Sequence, residues 1–209
     1  MRLSNSHRQF LLRATQQYAS QIEVAEDYLA TRHLSIEEAR RFHLGVVADP
    51  LPGHEAFKGR LAIPYITPSG VVDIRFRAMG DVDPKYMGMI GAKTTMFNTS
   101  ACFVQSKYIC VTEGEFDCIM MSVKTNHPTV GIPGANNWKS HYTRILDDFD
   151  MVIVLTDGDT AGAEFGKKIT RELPNANVIP MPEGEDVNSV IIKLGKDWID
   201  ERVRDCVTS

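Results

Sequence analysis

Apolar side chains recur at helical spacing through the first forty residues. Phe10, Leu11, Ala14 and Tyr18 fall on one face, and Ile22, Ala25, Tyr28 and Leu29 on another. Ser35 followed three residues later by Glu38 forms a capping box, which opens a short helix running to Phe42, with Gly45 as its stop. From residue 59 the period shortens to two. Residues 61–67 and 71–77 read as strands joined by Pro68-Ser69-Gly70, a hairpin. Residues 81–95 mix Gly, Pro and Met without a period and read as loop. Beyond residue 107, short apolar runs alternate with amphipathic stretches. Strands are expected at 108–112, 128–132, 151–156 and 176–181, helices at 116–125, 137–146 and 161–173, and a helical segment over 186–206. That order predicts an α/β fold whose mostly parallel sheet is flanked by helices, preceded by a smaller α+β part. The expected division is 1–107 for the α+β part, 108–194 for the parallel-sheet part and 195–209 for a helical tail.

Two of the apolar runs end in carboxylates. The run at 108–112 leads into Glu113, Gly114, Glu115, Phe116 and Asp117, and the run at 151–156 into Asp157, Gly158 and Asp159. In an open α/β sheet, ligands bind beyond the carboxyl ends of the strands, so Glu113, Asp157 and Asp159 are expected to converge. Two ionised carboxylates ~4 Å apart repel by about 4 kcal/mol at an effective dielectric of ~20. A fold tolerates that when a cation or a proton lies between them, so the pattern points to a divalent metal. Each residue also has a plainer reading: Asp159 stands where a helix cap would, and Glu113 alone could be a surface residue. Glu115 and Glu185 read as solvated.

Charge divides unevenly along the chain. The net formal charge is −4, which argues against a protein that grips nucleic acid by electrostatics alone. Residues 1–110 carry 13 Lys+Arg against 10 Asp+Glu, whereas residues 111–209 carry 10 against 17. A mildly basic part would hold a polyanion, and an acidic part would hold metal ions. Arg60, Arg75, Arg77, Lys85 and Lys93 are the candidate phosphate contacts, and Arg75 and Arg77 share a strand face. Tyr65, Tyr86, Phe97 and Trp138 could stack on bases, although core packing is the simpler role for each.

Composition excludes other classes. Cys102, Cys110, Cys118 and Cys206 lack Cys-x-x-Cys spacing and have no histidines at finger distances, so they read as free thiols with no zinc site. The longest apolar run, 151–155, is far too short to span a bilayer, and no signal-peptide stretch is visible. The chain is expected to be soluble and intracellular, without a membrane partner.

Residues 111–188 resemble a Toprim domain, the metal-binding α/β module of bacterial-type primases, type IA and type II topoisomerases and some nucleases. The resemblance rests on Glu113 after the first strand and Asp157-Gly158-Asp159 after a later one, continuing as Thr160-Ala161-Gly162 in the form typical of primases. Pro182-Glu183-Gly184-Glu185-Asp186-Val187-Asn188 resembles the third acidic motif of bacterial-type primases, with Asn188 in the form of phage primases fused to helicases. The stretches 28–35 and 42–45, then Gly59-Arg60 with Ile63-Pro64 and the hairpin, then Pro84-Lys85-Tyr86, are similar to the primase catalytic core in the same order. Together these cover most of residues 28–194, and the chain resembles a DnaG-like primase catalytic core.

The resemblance implies a DNA-templated RNA polymerase that makes short primers on single-stranded DNA from ribonucleoside triphosphates, using two Mg²⁺ or Mn²⁺ ions. It implies that Asp157, Asp159 and Asp186 hold the metals, that Glu113 ligates one or acts as general acid or base, and that Asp117 sits in the outer ring or holds a metal through water. It further implies contacts from Arg60, Arg77 and Lys85 to template or nucleotide, with Arg75 on the same strand face and Asn188 as further candidates, and a setting in the cytoplasm of a bacterium or a phage-infected host. A replicative helicase and a separate zinc-binding template-recognition module are expected in trans. Gly91-Ala92-Lys93-Thr94 is not a P-loop, so no helicase motor is expected within the stretch. Two other readings are a Toprim-family metal-dependent nuclease and a non-catalytic Toprim scaffold in replication or recombination. A topoisomerase is disfavoured, because the chain has no room for a strand-passage domain. On like-charge grounds, Asp157→Ala and Asp159→Ala are both expected to spare metal-free folding.

Overall fold

Ser4 starts the first helix. Its hydroxyl accepts the His7 N–H at 3.2 Å, and α1 (Asn5–Ala19) then buries Leu11, Ala14, Thr15 and Tyr18 along one stripe. A 3₁₀ turn at Ile22–Ala25 leads into α2 (Glu26–Thr31). Helix α3 (Ile36–Arg41) opens on the expected capping box, with Ser35 Oγ accepting from the Glu38 N–H and the Glu38 carboxylate accepting from the Ser35 N–H. Its stop is His43, which takes φ of 54°, and not Gly45. Gly45 instead opens β1 (Gly45–Val46), where a Cβ would lie 2.1 Å from the Tyr18 carbonyl carbon. Glycine there is what lets α1 lie against the strand.

Strands β2 (Leu61–Thr67) and β3 (Gly70–Arg77) form the expected antiparallel hairpin, with Gly70 at φ 98° closing its turn. Strand β4 (Tyr86–Gly88) pairs with the far side of β3, so the sheet runs β1-β2-β3-β4 and the stretch read as loop contains a strand. Three residues are too few to show an alternating pattern. Leu11, Ala14, Tyr18, Phe57, Ile74 and Phe76 make the core of this part, with the Phe57 and Phe76 rings stacked at 3.9 Å. The computed structural model describes residues 3–92, 95–134 and 137–208, and the chain divides into two compact units, Met1–Lys93 and Thr94–Ser209. Lys93, one of the candidate cations, lies outside the described residues.

The second unit is built on four parallel strands. They are β5 (Tyr108–Thr112), β6 (Thr129–Gly131), β7 (Met151–Thr156) and β8 (Ala176–Pro180), in the order β6-β5-β7-β8. Strands β5 and β7 are buried along nearly their whole length, as a sheet covered on both faces requires. Ile109, Val111, Val152 and Val154 pack with Trp138, Phe165 and Ile169 on one face. Cys110, Ile153 and Leu155 point the other way. The helices are α4 (Glu115–Met120), which continues as a π turn at Met121–Thr125, α5 (Thr143–Leu146), α6 (Thr160–Glu172), α7 (Val187–Leu194) and α8 (Lys196–Thr208). Helix α6 packs on β7 and β8, while α4, α7 and α8 pack on one another in the order α4–α7–α8.

Two expectations are revised in this unit. The helix expected over 137–146 is only a 3₁₀ turn at Ser140–Tyr142 followed by α5, because Lys139 is extended at φ −125°, ψ 131°. The single segment expected over 186–206 is two helices, broken where Gly195 takes φ 83°. Phe97 bridges to Gly131 and exchanges two backbone hydrogen bonds with it, which ties the residues just before β5 to the β6 edge. All four cysteines are free. Among the described residues, no helix is long and apolar enough to cross a membrane.

Candidate functional site

The strand order creates the site. The chain leaves β5 toward β6 on one side and leaves β7 toward β8 on the other, so a crevice opens beyond the carboxyl ends of two neighbouring strands. Glu113 follows β5 and Asp157 follows β7, directly at that switch point. Glu113 Oε1 accepts the Asp157 N–H at 2.9 Å, which links the two strand ends.

Gly158 brings in the third acidic segment. Its N–H donates to the Glu185 carbonyl and its carbonyl accepts from the Gly184 N–H, both at 2.8 Å, so the loop before α7 is tied to the loop after β7. A Cβ on Gly158 would lie 1.8 Å from the Pro182 carbonyl oxygen, and one on Gly162 would lie 2.2 Å from the Asp157 carbonyl oxygen and 2.8 Å from Glu113 Oε1. The backbones approach this closely only because both residues are glycines.

Each remaining carboxylate is held by a helix start. Asp159 caps α6, accepting the Gly162 N–H at 2.7 Å, and Asp186 caps α7, accepting the Ser189 N–H at 2.7 Å in a capping box. Asp117, in the first turn of α4, accepts the Asn188 N–H at 3.1 Å. Asn188 itself is buried, so its placement is that of a backbone donor to Asp117. Glu115, read as solvated from the sequence, is buried at 2% exposure. Glu185 pairs with Lys193 at 2.6 Å.

The electrostatics show that these groups feel one another. Asp157 is pushed up to about 7, first by burial and then by Glu113, Asp186 and Asp159. Asp117 is also pushed up to about 7, by burial and then by Asp186 and Asp157. Burial raises Glu113 as well, with Asp159 and Asp117 adding to it against the bond from the Asp157 N–H. Asp157 Oδ1 is buried without any hydrogen-bond partner. A buried carboxylate oxygen without a donor is costly, and a hard oxygen ligand suits Mg²⁺ or Mn²⁺. The donor set therefore fits such an ion. Among the described residues, however, no three His, Cys, Asp or Glu side chains stand as a ready-made cage. Glu113, Asp117, Asp159 and Asp186 each turn an oxygen to a backbone N–H.

The candidate cations lie in the first unit. Arg60 is buried and donates to the Pro84 carbonyl at 2.8 Å. Arg77 is buried and donates to the Tyr28 hydroxyl at 2.5 Å and to the Tyr86 hydroxyl. Arg75 and Arg77 do share a face, with their guanidiniums 4.4 and 4.8 Å from the Tyr86 ring centroid. Lys85 is exposed. A cleft of about 680 Å³ is lined by Arg32, Arg77 and Lys85, with Asp27, Asp81 and Asp83 among its other walls. Arg32 was not among the cations singled out from the sequence. Its neighbour Tyr28 at helical spacing, 5.7 Å from the guanidinium, was the available sign. Tyr65, Phe97 and Trp138 are core residues.

Fold and site together define a Toprim-type α/β module, preceded in sequence by a unit of helices and an antiparallel sheet. The Toprim-like family matches residues 110–191. The Gene 57 protein of Mycobacterium phage D29 is 45% identical over 152 residues, covering 70% of this chain and 99% of the phage protein. The DNA primase of Buchnera aphidicola subsp. Acyrthosiphon pisum is 24% identical over 173 residues, or 74% of this chain but only 30% of the primase's length. Among solved structures, a DnaG catalytic core superposes with a TM-score of 0.79 at 20% identity, covering 95% of this chain and 79% of that one. The chain belongs to the family of the phage D29 Gene 57 protein, carries a Toprim-like segment and has the fold of a DnaG catalytic core.

Proposed function

We propose that the chain is the catalytic core of a DNA primase, a DNA-templated RNA polymerase that joins ribonucleotides into short primers on single-stranded DNA. The observation that carries this reading is the gathering of Glu113, Asp117, Asp157, Asp159 and Asp186 at one switch point of a DnaG-type core, with Asp157 Oδ1 buried and unpartnered. Solved proteins of this fold include a DnaG catalytic domain bound to single-stranded DNA and a primase RNA polymerase domain with double-stranded DNA.

The reaction forms a bond between a 3′-oxygen and an α-phosphorus and breaks the bond to pyrophosphate, while the 3′-hydroxyl proton departs. A divalent cation, when bound, supplies positive charge to the oxygens at both ends of the transfer. Asp157, Asp159 and Asp186 would hold it, with Asp117 behind them. Glu113 fixes the Asp157 backbone and, raised above its ordinary value by burial, is suited to take the departing proton. Arg32, Arg77 and Lys85, along the cleft of the first unit, would hold strand phosphates. Arg60 would serve by fixing the Pro84 carbonyl next to Lys85. The helicase and the zinc-binding template reader implied by the resemblance belong to the same proposal.

The test is to incubate the protein with single-stranded DNA, labelled ribonucleotides and Mg²⁺ or Mn²⁺, beside Asp157→Asn. Short RNA products that need metal and disappear in the variant are expected. Shortened DNA without nucleotide incorporation would establish a nuclease instead, and no metal-dependent change would establish a scaffold.

A further inference from the structure

An open groove of about 710 Å³ runs along the second unit from Asp157 and Asp159, between α6 and β8. Its volume lies within the ~300–1,000 Å³ of small-ligand sites. Residues 163, 166, 167 and 170 present one face of α6 to it, beyond the Asp159 cap. Ala163 and Gly166 keep that wall low, and Gly166 also brings α6 close to the sheet, since a Cβ there would meet the Val178 and Thr156 side chains at 3.1 and 3.2 Å. Val178, Pro180 and Met181 make the opposite wall apolar.

One end of the groove is the carboxylate site, and Lys167 lies toward the other, just before Thr170. That lysine is exposed and has no ion-pair partner among the described residues. It stands eight residues after Asp159, roughly 12 Å along the helix axis, and helical side chains lean back toward the N-terminus, which brings its ammonium toward the carboxylates. Glu183 is the other charged group in the groove outside the metal-site pair.

We propose that this groove seats the 3′-terminal nucleotide of the growing strand, its sugar and base on the apolar walls and its 5′ phosphate on Lys167. The inference rests on the primer-synthesis reading and names the strand subsite within it. A terminal nucleotide carries a hydroxyl at one end and an anion at the other. The groove offers a cation-holding site at one end and an unpaired ammonium at the other, with no second cation between.

The experiment uses the full chain and a fluorescent DNA template annealed to a short RNA primer. Binding is measured against salt, and the KM for primer–template and for ribonucleotide are measured in extension. Lys167→Ala should weaken primer–template binding several-fold, lower the slope of log K against log salt by about 0.7–0.9, and raise the primer–template KM while leaving the ribonucleotide KM in place. Lys168→Glu, one residue on and outside the groove, should change none of these. An unchanged slope and primer–template KM in Lys167→Ala would overturn the proposal, as would a rise confined to the ribonucleotide KM, which would put a triphosphate in the groove. The slope is read from binding alone. A wild type that binds through Lys167 yet extends nothing would therefore sink the polymerase reading and leave the strand groove standing.

Discussion

Asp157 and Asp159 stand two residues apart under opposite demands. Asp157 has a buried oxygen without a donor and a carboxyl pushed up to about 7, so its charge opposes folding when no cation is present. Asp159 is exposed, and its carboxylate caps α6. The like-charge argument from sequence treats the two alike; the cap separates them. In EDTA, Asp157→Asn should leave the melting temperature unchanged or raise it. Asp159→Ala should lose about 1 kcal/mol of helix capping, or roughly 2–4 °C for a chain of this size, and Asp159→Ser should restore most of it. Thermal unfolding with and without EDTA reads all three. A large metal-free loss in Asp157→Asn would make that residue structural and remove the reason to place a cation beside it.

Strand β3 carries a second titrating group, in the unit without the carboxylate site. Asp73 is buried and pushed up to about 6, against the pull of the Ile74 N–H, Arg75 and His7. Its unfolded value is 3.8, so between those values the folded state holds the proton and the unfolded state does not. Its contribution is therefore fully present below about 4 and is lost as pH rises through about 6, amounting to at most roughly 3 kcal/mol. Stability measured from pH 4 to 8 should fall less steeply in Asp73→Asn than in the wild type. An identical slope would show that water reaches Asp73. What could be read in advance follows from element length and local chemistry. Strands β2, β3, β5 and β7 showed themselves through long apolar or alternating runs, and α3 through Ser35 and Glu38. The three residues of β4 carried no period. The break at Gly195 was hidden inside an amphipathic run, and the short α5 region was set by the extended Lys139 backbone. Of the site, the carboxylates and their order were legible. The burial of Arg60, Arg77 and Glu115 was not, because it depends on Tyr28, Tyr86, Pro84 and other partners that no spacing rule connects.

In the whole chain a basic-leaning first half precedes an acidic second half, in a DnaG-type fold. The proposed function requires the carboxylates beyond β5 and β7 to share divalent cations. As the chain stands they cap helix starts and strand ends, and they form no ready-made cage. Asp157 Oδ1 is the buried oxygen still without a donor, and an ion that prefers the folded state stabilises it by RT ln(1 + [L]/Kd). The most direct measurement is anomalous diffraction from crystals soaked in Mn²⁺. A pair of ions ~3.5–4 Å apart is expected, ligated by Asp157, Asp159 and Asp186 and reached by Glu113 or Asp117. Ions bound only elsewhere, or none at saturating Mn²⁺, would rule out a shared metal site.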